Sequence, residues 1–172
     1  MNADFTKANN TAWSLTVRLT HWAVATGVII NFFNDTGYWH RMVGYACILF
    51  VLLRLIDGLW LSRLSASKLF VPKLADIELH LNEIRTGQVA YHDGHNPLGQ
   101  WAVYVMWLLI LLLGFTGWLS RTDMYWGEDL PVQMHEVLSD LLQVMVVLHL
   151  FAVVLMSKLQ HRNLVKAMIK RP

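Results

Sequence analysis

The sequence predicts an all-α protein, a four-helix transmembrane bundle with a short amphipathic helix in its cytoplasmic loop. Three observations carry that expectation. Of 172 residues, 55% are hydrophobic and only 15% are charged, against roughly 25% charged in soluble domains. The apolar residues are gathered into runs: Pro97 to Ser120 is 24 residues without Lys, Arg, Asp or Glu, enough to cross about 30 Å of hydrocarbon. The basic residues outside those runs lie almost entirely on one side. The length suits a single membrane-embedded domain covering residues 1–172.

Four spans follow, at about 14–34, 39–61, 97–119 and 132–157. The first is built on the uncharged run from Leu19 to Asn34. Met1 to Thr11 is polar and no small-residue cleavage pattern follows the run, so this segment is expected to remain as a helix. Asn34-Asp35-Thr36-Gly37 has the composition of a tight turn, which makes the first two spans antiparallel neighbours. Arg54 and Asp57 interrupt the second span and make it the weakest by hydropathy. In the long loop from Ser62 to Asn96, Pro72 opens and Gly87 closes a helical pattern with Leu74, Ile77, Leu81 and Ile84 on one face. Such a helix lies on the membrane surface, or else packs as a cap on the helix ends. Pro97 and Pro131 suit the first turns of the third and fourth spans. Between those spans, Tyr125 and Trp126 fit the headgroup layer, and Asp123, Glu128 and Asp129 make the loop acidic.

Lys7, Arg18, Arg63, Lys68, Lys73, Arg85, Lys158, Arg162, Lys166, Lys170 and Arg171 fall on one side of these spans; Arg41 and Arg121 fall on the other. The bias predicts that both termini and the long loop are cytoplasmic. It reads as a topology signal, so no nucleic-acid partner is expected. The single cysteine, Cys47, excludes an internal disulfide, and the absence of C-x-x-C-H excludes a thioether-tethered haem.

Four histidines carry the functional reading. His135 and His149 are 14 residues apart in the fourth span, about 3.9 turns and roughly 21 Å of rise, so their rings leave nearly the same helix face. His21 stands at the inner side of the first span and His40 at the outer start of the second. The depths match in pairs, His21 with His149 and His40 with His135. A lone intramembrane histidine can serve as polar glue between helices. Two depth-matched pairs are instead the arrangement that holds two haem groups, one above the other, through axial imidazoles.

Neighbouring residues fit the same reading. Gly44, Gly114 and Gly117, with Gly27 and Gly99, would let a flat macrocycle approach the backbone; small residues also serve ordinary helix contact. Haem propionates are anionic. Arg54 follows His40 by 14 residues and is assigned to an inner propionate with Asp57 as a possible partner; Arg18 is a second inner choice and Arg41 the outer one. His80, His92, His95 and His161 lie outside the spans.

The stretches Arg18-Leu-Thr-His21-Trp, His40-Arg-Met-Val-Gly44-Tyr, Gly94-His-Asn-Pro-Leu-Gly99, His135-Glu136 and the tail from His149 through His161 to Met168 resemble the bacterial cytochrome b561 family. That family includes the cytochrome b subunits of nickel–iron hydrogenases. The resemblance runs from about Thr16 to Met168. It implies a bundle with two haems b, His21, His40, His135 and His149 as their iron ligands, and a place in the bacterial cytoplasmic (inner) membrane. It further implies electron exchange with the quinone pool and with a redox partner such as a periplasmic cytochrome c. Two other functions fit parts of the pattern: a quinone-linked oxidase of a small reductant such as superoxide, and a haem-free transporter using the histidines directly. Whether the chain is itself an enzyme is open at this level.

Overall fold

The computed structural model describes residues 13–61, 68–87 and 96–169. Every regular element among them is helical: α1 (Leu15–Phe33), α2 (Gly37–Ile56), α3 (Leu74–Thr86), α4 (Pro97–Leu119), α5 (Asp129–Leu159) and α6 (Leu164–Ile169). A π-helical turn, Asp57–Leu61, continues α2, and a short 3₁₀ turn, Asp123–Tyr125, precedes α5.

The helix boundaries have local causes. Ser14 caps α1, its hydroxyl accepting from the Val17 N–H at 3.2 Å. Asn96 caps α4 in the same way, its side-chain oxygen 2.6 Å from the Gly99 nitrogen, and Pro97 occupies the first turn. The Asp76 carboxylate accepts the Lys73 N–H at the start of α3, which ends on Gly87 at φ +72°, a left-handed position that glycine adopts without strain. The fourth expected span is longer than foreseen: α5 has 31 residues, about 46 Å at 1.5 Å per residue, so it outruns the hydrocarbon layer.

Three helices among the described residues are long and apolar enough to cross a membrane: Gly37–Leu61, Pro97–Leu119 and Asp129–Leu159. The second expected span, weakened in sequence by Arg54 and Asp57, is therefore one of them. Helix α1 forms where the first span was expected but is not one of the three, because Arg18, His21 and Asn31, together with Thr16, Thr20 and Thr26, dilute its apolar content.

Packing is pairwise. α1 lies against α2 and α4 against α5, and α2 touches α4 to join the two pairs. At the centre is a small core of Cys47 and Val51 from α2, Leu109 and Ile110 from α4, and Leu142 from α5, with Val24, Val28 and Phe32 of α1 packed on it. Much larger apolar surface points outward. Along α5 alone, Val137, Leu141, Val144, Val147, Leu148, Leu150, Phe151 and Val154 are exposed. A water-soluble protein would bury such a surface; in a bilayer it is the natural lipid face.

Helix α3 packs on α4, and its expected apolar face is divided between buried and exposed positions. His80 is buried and Ile77 and Ile84 are partly buried, whereas Leu74 and Leu81 are exposed. His80 holds Glu83 at 3.1 Å, one turn along. The apolar residues Leu74 and Leu81 remain on the free side, where a membrane surface could take them. At the end of the chain, the short α6 turns back onto α5 and reaches α1. Its terminal carbonyls receive Arg18 (NH1 to Ile169 O, 3.0 Å) and the Trp22 indole (to Met168 O, 3.1 Å).

Candidate functional site

The four histidines come together as two pairs. The rings of His21 and His149 have their centres 6.4 Å apart, and those of His40 and His135 lie 5.9 Å apart. The placement follows from helix periodicity. On α2, His40, Gly44, Cys47, Val51 and Arg54 form one stripe, and Cys47, Val51 and Arg54 are buried. On α5 the same seven-residue rhythm gives His135, Leu142, His149 and Met156, of which Leu142 and Met156 are buried. Leu142 stands midway between the two histidines of its helix and packs with Cys47 and Val51. The apolar core is thus a layer separating one histidine pair from the other.

Each ring of the His40–His135 pair has one nitrogen committed. His40 Nδ1 lies 2.7 Å from the Asn34 carbonyl. A carbonyl only accepts, so Nδ1 carries the hydrogen, and neutral imidazole then has its lone pair at Nε2. The Asn31 side chain in turn donates to the His40 carbonyl at 3.0 Å, fixing the start of α2 to α1. His135 Nδ1 lies 3.0 Å from the Thr116 hydroxyl, which is within 3.0 Å of the Leu112 carbonyl and 3.2 Å of that of Leu113. In the His21–His149 pair, His21 Nδ1 is buried and has no hydrogen-bond partner among the described residues.

Beside His40 and His135 is a small, partly open crevice of about 100 Å³, bounded by these two residues and by Arg41, Gly44, Gly117 and Asn31 among others. The glycines divide by role. A Cβ on Gly117 would lie 3.3 Å from His135 Cε1, so this glycine gives the ring its room, and one on Gly44 would meet only Asn31 at 3.6 Å. A Cβ on Gly114 would run into Ile48, and one on Gly27 into Cys47 Sγ at 2.5 Å. Those two serve close helix contact, although Gly114 also borders the crevice.

Of the three arginines singled out in sequence, Arg54 is buried, 3.5 Å from Asp57, with its guanidinium 6.0 Å from the centre of the Trp107 ring. Arg41 borders the crevice beside His40 and His135. Arg18, one turn before His21, donates from one guanidinium nitrogen to the Ile169 carbonyl at the end of α6, 3.0 Å away. His92 and His95 lie outside the described residues. Thr116, Asn31 and the Asn34 carbonyl were not singled out in sequence. Thr116 carried a faint signal there, as a polar residue between two glycines in a long apolar run; a backbone carbonyl carries none.

The residues present fit haem. Two imidazole nitrogens on opposite faces of one iron lie about 4 Å apart, with each ring centre about 1 Å further back, if metal–nitrogen bonds are about 2 Å. The ring centres observed, 5.9 and 6.4 Å apart, match that separation. Among the described residues no cluster of three or more His, Cys, Asp or Glu forms a site for a bare metal ion, whereas a porphyrin brings four nitrogens of its own and asks the protein for two.

A family model for prokaryotic cytochrome b561 matches residues 12–171. No curated protein and no solved structure matches the chain.

Proposed function

The chain belongs to the prokaryotic cytochrome b561 family, a membrane-embedded b-type cytochrome of electron transfer, and on that premise we propose that it carries two haems b and passes electrons across the cytoplasmic membrane. The observation that carries the proposal is the double pairing of His21 with His149 and His40 with His135, on either side of an apolar layer. Haem, when bound, supplies reversible one-electron exchange at its iron. The chain supplies everything else. Four imidazoles hold the two irons at different depths, with ligands roughly 21 Å apart along α5 at 14 residues' separation. Cys47, Val51, Leu109, Ile110 and Leu142 keep water out of the space between them and lower the local dielectric, which raises the influence of each nearby charge on the potentials.

Arg54 is proposed as the cation beside an inner propionate and Arg41 beside an outer one. A buried guanidinium already balanced by Asp57 accepts a further carboxylate without being left isolated when the cofactor is absent. Four spans are proposed, α1 included, with both termini and α3 on the cytoplasmic side, as the basic bias predicts. Quinone or quinol exchanges electrons at one end. At the other, the exposed carboxylates of Asp123, Glu128 and Asp129 suit a basic redox protein such as a periplasmic cytochrome c, through complementary charge.

The test is a pyridine haemochrome assay on purified protein: two haems per chain are expected. His149→Ala loses the inner haem and leaves the outer one spectroscopically intact. A colourless preparation, or a variant retaining both signals, overturns the proposal.

A further inference from the structure

We propose that Thr116 is a positioning residue that sets the ring tautomer of His135 and tunes the outer haem, an inference that rests on the reading of His135 as an iron ligand. Thr116 is buried, 1% exposed, in the last turns of α4. Its hydroxyl has one hydrogen. Three polar atoms surround it: Leu112 O at 3.0 Å, Leu113 O at 3.2 Å and His135 Nδ1 at 3.0 Å. The two carbonyls cannot donate, and a helical threonine sends its proton to the carbonyl three or four residues back. The hydroxyl oxygen then has a lone pair free, and His135 satisfies it by donating from Nδ1. That leaves Nε2 as the nitrogen with a lone pair.

His40 reaches the same state by another route, through the Asn34 carbonyl at 2.7 Å. Both outer rings are therefore held in the tautomer an iron ligand needs, from opposite sides, before any cofactor arrives. Acceptance of the Nδ1 hydrogen makes an imidazole more basic and so a stronger ligand, favouring the ferric state. The contact is polar, local and confined to the outer pair, so its loss should be felt there alone. Gly117, one residue further along α4, keeps the backbone close enough for the contact: a Cβ there would lie 3.3 Å from the same ring.

The experiment compares wild type, Thr116→Val and Thr116→Ser as purified haem-loaded proteins, by haem-to-protein ratio, redox titration and the low-temperature electron paramagnetic resonance of each haem. Valine keeps the shape and removes the hydroxyl. It should raise the outer midpoint potential, shift the outer resonance signature, and weaken outer-haem retention against apomyoglobin by roughly 10–100-fold, while the inner haem is unmoved. Serine should restore all three. If the valine variant does not accumulate, Thr116→Ala in the same titration decides. A two-haem valine or alanine variant with an unmoved outer potential overturns the role of Thr116 alone, as does a serine variant that behaves like valine. A haem-free wild type overturns the ligand reading itself.

Discussion

At the scale of single residues, the outer crevice and the buried ion pair are the points where small changes have large effects. Gly117 faces the His135 ring with no room to spare. Gly117→Val therefore should push the ring aside and lose the outer haem, halving absorbance per chain in the haemochrome assay while His21 and His149 retain theirs. Arg54 and Asp57 have side chains only 6% and 15% exposed. Removing Arg54 takes its cation away from the mostly buried Asp57 carboxylate, at a cost of up to about 3–5 kcal/mol. Arg54→Leu should accordingly lower the melting temperature in detergent sharply, and the double variant Arg54→Leu/Asp57→Leu should recover much of it. If the single and double variants melt together, the pair does not act as a unit.

At the scale of elements, helix ends and helix stripes do different work. Asn96 sets the start of α4 through its contact with Gly99. Asn96→Ala should cost about 1 kcal/mol, read as a modest fall in thermal stability with haem content unchanged, because no histidine of either pair lies on α4. The stripes on α2 and α5 were readable in advance, since a seven-residue rhythm survives in any helix that faces one partner. The free face of α3 was not. Leu74, Ile77, Leu81 and Ile84 share an apolar face in sequence, yet the structure rotates α3 to bury His80 and leaves Leu74 and Leu81 out. Hydrophobic pattern chooses the buried face only when water is the alternative, and beside a membrane both sides of a helix can be covered.

At the scale of the whole molecule, the outward-facing apolar surface fits a membrane environment, and the proposed orientation, read from the basic bias, is open to direct test. A reporter fused after Ile169 should be active only in the cytoplasm, and one inserted at Asp123 only in the periplasm. Equal activity of both reporters in one compartment contradicts the four-span topology. Haem held between helices of the folded chain should stabilise it by mass action. Protein stripped of haem should melt well below the loaded form and regain its melting temperature on adding hemin; the His40→Ala variant should regain only part of it.

The sequence alone determined that the chain is helical and membrane-embedded, through the length of its uncharged runs, and which histidines share a depth, through the fixed rise of a helix. Those quantities depend on local geometry, which residue spacing specifies directly. Only the tertiary structure decided what each side chain meets. Arg18 stood second to Arg54 in sequence; in the structure it donates to the Ile169 carbonyl, while Arg54 is buried beside Asp57. Gly114 and Gly117 looked alike, yet one meets Ile48 and the other His135. Thr116 and the Asn34 carbonyl acquire their part only when α4 meets α5 and the first turn closes on α2. Such contacts join residues from different helices, and helix-on-helix rotation, which spacing along one chain does not specify, selects among them.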